Sequence, residues 1–219
     1  MGKAYSNRKP VEQRPDSDFY PTPAYLIEEL VYSSEEFRVV IELIETYSLG
    51  KKHIKILDPA CGDGIFSKVL KEHLPKAFPA FTFEIIEHDI RKDGVDFLSF
   101  ESKNEFDIVI TNPPFSLFDE FVTKAKEVAP FVIFIGKTNF FGAYNRYKKG
   151  IWNHLEFVSV FNRQVDYRSL VREDGKFQCG NLVTGWFFWN RNWKSNYWET
   201  SIMDVQNGVV NKKDIDKIK

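Results

Sequence analysis

Asn112, Pro113, Pro114 and Phe115 are the residues of this 219-residue chain whose types and spacing most plainly could do chemistry. They follow the apolar run Phe106-Asp107-Ile108-Val109-Ile110, which reads as a buried strand. The turn therefore sits at a strand's carboxyl end, where open α/β sheets gather their ligands. Two consecutive prolines carry no N–H and fix φ near about −65°, so the strand stops and a stiff, carbonyl-rich turn begins. Asn112 offers an amide oxygen, Pro113 a carbonyl, and Phe115 a flat face. Two acceptors beside an aromatic platform suit an amino group on a planar ring. The competing account is a strand-ending turn with Phe115 in the core, and the residues upstream decide between them.

Upstream, Asp58-Pro59-Ala60-Cys61-Gly62-Asp63-Gly64 follows the strand-like His53-Ile54-Lys55-Ile56-Leu57 and opens a helix at Ile65. Glycines let a ligand approach the backbone, and the helix start offers free N–H groups. The third glycine of a dinucleotide fingerprint is missing, and Asp58 and Asp63 would repel a pyrophosphate. Acids here suit a cationic ligand, and the sign of the charge favours S-adenosylmethionine over NAD. At the end of the next strand, Phe81 to Glu87, Glu87 and Asp89 compete to bind ribose hydroxyls, with Asp89 favoured. Asp96, in Gly94 to Leu98, could accept from an adenine amino group. Thr22 reads as a helix N-cap before Pro23, and that helix start could equally hold a ligand carboxylate.

From Gly136 to Lys176, eight Lys/Arg face four acids, a local balance of +4 within a chain whose net charge is −1. Phe140, Phe141, Tyr144, Tyr147, Trp152 and Tyr167 interleave with those cations. Basic groups for phosphates and aromatic faces for unpaired bases make Lys137, Asn139, Arg146, Lys148, Lys149, Arg163 and Arg168 the candidate nucleic-acid contacts.

Strands alternating with helices must position these groups, which predicts a doubly wound, mainly parallel sheet with helices on both faces. Helices are expected from Pro23 to Leu30, about Ser34 to Tyr47, Ile65 to about His73, Leu117 to Val128 and Tyr144 to Trp152. The expected strands are His53–Leu57, Phe81–Glu87, Gly94–Leu98, Phe106–Ile110, Phe131–Ile135, Phe157–Phe161 and Leu182–Trp189. Residues 1–18 read as a basic arm, 19–190 as one domain with the basic-aromatic region inside 137–180, and 191–219 as an extension of weak pattern. Hydrophobic content of 43% against 28% charged residues fits a soluble globular chain. With no apolar run near the roughly 18 residues of a membrane span and no signal-peptide core, a cytoplasmic setting and no membrane partner are expected. Cys61 and Cys179 make no disulfide framework, neither is placed to act as a cytosine-attacking thiolate, and the four histidines show no metal spacing.

Asp58-Pro-Ala-Cys-Gly-Asp-Gly64, followed by Asn112-Pro-Pro-Phe115, resembles the amino-methyltransferases that modify DNA, especially N6-adenine methyltransferases of the EcoRI restriction-modification type and related phage enzymes. The motif order resembles their gamma arrangement. The resemblance implies a Rossmann-like class I S-adenosylmethionine-dependent fold with a seven-stranded sheet, and a DNA substrate carrying a flipped adenine. It makes Asn112, Pro113, Pro114 and Phe115 catalytic. It makes Tyr20, Thr22, Asp58, Ala60, Gly62, Gly64, Glu87, Asp89, Asp96, Phe97 and Asn112 cofactor contacts. Tyr20-Pro-Thr-Pro23 looks like the element that closes over the methionine end, and Asp96-Phe97 matches the adenine-contacting position. A cognate restriction endonuclease is an implied partner. RNA adenine, cytosine N4 and a protein glutamine are the rival targets, and a silent nucleic-acid-binding or anti-restriction protein is the rival of another class.

Overall fold

The computed structural model describes residues 21–101, 105–165, 183–195 and 197–205. The arm, Tyr20, Arg168 and the rest of 166–182 lie outside the described residues. Seven strands form one sheet: β1 (His53–Asp58), β2 (Thr82–Glu87), β3 (Ile108–Thr111), β4 (Phe131–Lys137), β5 (Leu155–Phe161), β6 (Thr184–Asn190) and β7 (Glu199–Met203), in the order β2-β1-β3-β4-β6-β5-β7. Among the described residues, β6 alone runs antiparallel to its neighbours. The chain moves one way from β1 to β2 and then returns past β1 to β3. That reversal is the topological switch point, and it opens a crevice beyond the carboxyl ends of β1 and β3.

The helices are α1 (Ala24–Ser33), α2 (Glu35–Tyr47), α3 (Ile65–Ala77), α4 (Phe118–Val128) and the single-turn α5 (Tyr144–Lys148). Ser34 starts α2, its Oγ accepting from Phe37 N at 3.1 Å, and Phe37, Val40, Ile41 and Ile44 form the buried stripe. Every residue of β6 is buried, and its side chains alternate between the two faces. Trp186 meets Phe66 of α3 on one face, with ring centroids 6.0 Å apart. Phe187 and Trp189 meet Phe118 of α4 on the other. Helices therefore cover both faces, as the alternating pattern predicts.

Four local expectations change. Gly94–Leu98 is not a strand. Gly94 adopts φ +76°, and the Asp96 carboxylate accepts from Leu98 N (3.0 Å) and Ser99 Oγ (3.0 Å), winding Phe97–Ser99 into a 3-10 turn and leaving β2 at the sheet's edge. The seventh strand is β7, beyond the expected limit of the patterned region. Its backbone joins β5 in parallel, and Ser201 Oγ pairs with Ser159 Oγ (2.6 Å) and donates to Glu36 of α2. The helix from Tyr144 stops at Lys148, because Gly150 takes φ +67°. Thr22 is not a cap. Pro23 stands at the N-cap of α1 without a side-chain bond, and the Thr22 hydroxyl serves elsewhere.

Candidate functional site

A cleft of about 410 Å³ opens at the switch point, within the size range of small-ligand sites. Its floor is the loop after β1. Asp58 is fully buried, its Oδ1 accepting from Thr111 Oγ1 (2.8 Å) and Ala60 N (3.3 Å). The other oxygen, Oδ2, has no hydrogen-bond partner among the described residues. Burial drives the Asp58 carboxyl up to about 7 against those two donors, and Glu87 and Asp89 nearby add to the rise. Gly62 and Gly64 take φ +54° and +81°, conformations that favour glycine, and Gly64 starts α3. Pro59, Ala60, Cys61, Asp63, Ile65 and Phe66 line the cleft, whereas Asp58, Gly62 and Gly64 shape it from behind. Burial raises the Cys61 thiol to about 11, so it is a neutral side chain.

The two acids at the carboxyl end of β2 part company. Asp89 lines the cleft and is 5% exposed. Its carboxylate accepts from Gly62 N (3.0 Å), from Arg91 N (2.9 Å), and from Arg91 Nε (3.0 Å) and Nη2 (3.1 Å). Burial alone would raise its pKa, but Arg91 and the two backbone N–H groups outweigh it and hold the group below its ordinary value. Glu87 lies outside the lining, paired to Lys92 at 2.6 Å, and that bond lowers its pKa. Asp96 and Phe97 also line the cleft, the Phe97 ring resting 5.2 Å from Phe121. Asp63 and Asp96 are exposed, so the mouth of the cleft is acidic.

The opposite wall is Asn112, Pro113 and Pro114, at the end of β3. Asn112 Nδ2 donates to Thr22 Oγ1 at 3.1 Å, across 90 positions of sequence. Thr22, 7% exposed, thus fixes the orientation of the amide instead of capping α1. Leu117 N donates to Pro114 O (2.9 Å), turning the chain tightly into α4.

Phe115 departs from the expected open platform. Its ring is 7% exposed, lies outside the cleft lining and is edged by Phe140 at 6.2 Å, because the tight turn swings it inward against the aromatic layer under α4. Lys137 Nζ sits over the ring, 4.1 Å from its centroid.

Of the residues expected to meet nucleic acid, Lys137 is the last residue of β4, and Asn139 and Arg163 follow the carboxyl ends of β4 and β5, on the sheet edge that holds the cleft. Arg146 lies over Phe140 at 4.1 Å and pairs with Asp119, which Lys149 also approaches at 3.7 Å. Lys148 is exposed over Tyr144, and Tyr144 and Tyr147 are 66% and 72% exposed on the one turn of α5. None of these cations lines the cleft. Arg91, Ile65 and Phe121 do line it and were absent from the sequence expectation. The Asp89-x-Arg91 spacing, which allows a side-chain fork onto the acid, was the signal available for the first.

The parallel sheet with one antiparallel strand and a cleft at its switch point is the fold of class I S-adenosylmethionine-dependent methyltransferases. A Listeria monocytogenes protein assigned to that class superposes with a TM-score of 0.53 at 14% identity, covering 90% of this chain and 70% of its own. A Pyrococcus horikoshii protein assigned as an RNA methyltransferase follows at 0.47 and 17% identity, covering 84% and 93%. Within the class, residues 75–171 match the family model described as adenine-specific methyltransferase EcoRI, a stretch that contains the Asn112 turn and the Lys137 segment but not the Asp58 loop. No curated protein matches the chain. No helix among the described residues is long and apolar enough to cross a membrane, and no group of His, Cys, Asp and Glu among them could hold a metal.

Proposed function

We propose that this chain transfers a methyl group from S-adenosylmethionine to N6 of an adenine in DNA. The observation that carries the proposal is the meeting, in one cleft, of the acidic glycine loop after β1 and the Asn112-Pro113-Pro114 wall after β3. The cofactor fits this donor set: the buried Asp58 has an oxygen without a partner among the described residues, Asp63 and Asp96 make the mouth acidic, and Ile65, Phe97 and Phe121 give an apolar wall. Ala60, Asp63, Asp89 and Asp96 would hold it, with Thr22 and Asn112 at the opposite end. When bound, it supplies an electrophilic methyl on a cationic sulfur.

The chain's own contribution is positioning and electrostatics. An adenine amine is a weak nucleophile because its lone pair is shared with the ring. Hydrogen bonds from its two N–H groups to Asn112 Oδ1 and the Pro113 carbonyl favour a pyramidal nitrogen with the lone pair aimed into the cleft. The Thr22 hydroxyl accepts from Asn112 Nδ2, so the acceptor's role falls to the amide oxygen, which is buried in this structure and would meet the amine as the base enters. The base must leave the duplex to reach this wall. Lys137, Asn139 and Arg163 on the same edge, with Lys148 and the exposed Tyr144 and Tyr147, supply phosphate and stacking contacts for the displaced strand.

The test is labelled methyl transfer to DNA from a methylation-free host, to RNA and to a glutamine-bearing protein, followed by mass spectrometry of the digested product. N6-methyladenine in DNA is expected, and Asn112→Ala should lose transfer by about 100-fold or more while still binding cofactor, in line with losses on removing one positioned polar group. Undiminished transfer by that variant, or methylation confined to RNA, cytosine or protein, would refute the assignment.

A further inference from the structure

Resting on the reading above, we infer that Thr111 is a positioning residue whose hydroxyl ties the Asn112 turn to Asp58, so that a cationic cofactor in the cleft stiffens the turn that receives the target amine. β1 and β3 lie side by side, in register at Ile56↔Ile108 and Leu57↔Val109. Just beyond, each strand ends on a fully buried residue, Asp58 on β1 and Thr111 on β3. Thr111 Oγ1 donates to Asp58 Oδ1 at 2.8 Å, across 53 positions of sequence. The same oxygen accepts from Ala60 N at 3.3 Å, and Ala60 lines the cleft. Asn112, the next residue after Thr111, lines it from the opposite wall. One carboxylate oxygen therefore holds both the floor of the cleft and the root of that wall. On its other flank Thr111 is paired with Phe134 of β4, so the hydroxyl bond acts on a backbone already anchored from one side.

The strength of this link depends on charge. Asp58 Oδ2 has no hydrogen-bond partner among the described residues, and burial disfavours the carboxylate form. A cation held in the cleft favours that form. An ionised acceptor makes a shorter and stronger bond than a neutral one. Filling the cofactor half thus tightens the Thr111 bond, and with it the segment that begins at Asn112. By linkage, a base docked on that segment strengthens cofactor binding in return.

Hydrogen exchange, read by mass spectrometry on the peptide spanning 108–118, tests this without nucleic acid. The probes, both at saturation, are sinefungin, an unreactive S-adenosylmethionine analogue with an amine in place of the methylated sulfonium, and 5′-methylthioadenosine, which keeps the nucleoside and carries no cation. Sinefungin should slow exchange at least about five-fold in the unchanged chain and in Thr111→Ser, in line with ordinary coupling between sites. The slowing should fall below about two-fold in Thr111→Val, which loses the hydroxyl, and in Asp58→Asn, which keeps an oxygen for it but no charge. Asp58→Asn keeps the test decisive if Thr111→Val folds poorly. No slowing by sinefungin in the unchanged chain, slowing that survives in either of these variants, or equal slowing by the two probes would overturn the inference. If the unchanged chain methylates no adenine in DNA, the parent assignment fails, and that is read separately in the transfer assay.

Discussion

Replacing Asp58 by asparagine isolates the most perturbed group in the site. The carboxyl moves from an ordinary 3.8 to about 7 on folding because burial disfavours its charge. A native pKa above the unfolded one means that, between the two values, the folded chain holds a proton the unfolded chain has lost. The stabilisation is fully present below about pH 4 and is lost as pH rises through about 7. Moving from 3.8 to about 7 corresponds to about 4 kcal/mol, at about 1.4 kcal/mol for each tenfold change in proton affinity. The substituted amide keeps the shape and an oxygen for Thr111 but does not titrate. Urea unfolding at half-unit steps from pH 4.5 to 8 should therefore show the unchanged chain losing stability relative to Asp58→Asn up to about pH 7, then running parallel to it. The variant also buries an amide donor beside the partnerless position, at a cost of about 1–3 kcal/mol, so it should be no less stable than the unchanged chain at pH 8. A difference that stays constant across the whole range would refute the account. A cationic ligand favours the ionised carboxylate, so S-adenosylmethionine affinity should rise with pH from 5.5 to 7 in the unchanged chain and stay flatter in Asp58→Asn.

Thr22→Val removes the hydroxyl that orients Asn112, and kcat should fall about ten-fold with little change in melting temperature, as expected for loosening a positioned group. At Gly136 an added Cβ would lie 2.8 Å from the Phe187 ring; Gly136→Ala should cost about 1–3 kcal/mol in urea unfolding. Lys126 donates to Gly150 O and Ile151 O, and burial lowers its pKa to about 8. Its ordinary value is 10.5, so the cost of the buried charge is present below about pH 8 and is relieved as pH rises towards 10.5; Lys126→Met should flatten that alkaline rise in stability, measured again by urea. Tyr144→Ala and Tyr147→Ala should each weaken single-stranded DNA binding by about 1–3 kcal/mol in fluorescence anisotropy, as lost stacking platforms do.

The halves of the cleft were legible in the sequence because their signals are local. A β-branched run ended by two prolines, and glycines with acids at a strand-to-helix junction, each announce a turn without reference to the rest of the chain. What local pattern could not show is which elements complete the sheet. Gly94–Leu98 has strand-like residues, but the Asp96 side chain competes successfully for the Leu98 backbone N–H. Glu199–Met203 has little apolar alternation because it lies on an edge, three of its residues exposed, and it is held by Ser159 and Glu36 from elsewhere in the chain. The same limit applies to side-chain destinations. Thr22 looks like a cap until Asn112, 90 residues away, takes its hydroxyl. Phe115 looks like a platform until Lys137 and Phe140 are seen upon it. Of the two acids at the end of β2, the Asp89-x-Arg91 spacing allowed a fork onto Asp89, but only the fold shows Lys92 pairing with Glu87 outside the cleft lining.

The Thr22–Asn112 hydrogen bond also predicts an order of events in folding. The loop it closes contains α1 to α3 and β1 to β3, and the first of those elements to enter the core does so at Leu26, through apolar contacts that need nothing from Asn112. Hydrophobic assembly of the sheet can thus run ahead, while the amide is locked only when both ends of that long loop have arrived. In a refolding experiment, helix and strand content read by circular dichroism should return first and methyl-transfer competence later, with the interval lengthened by Thr22→Val.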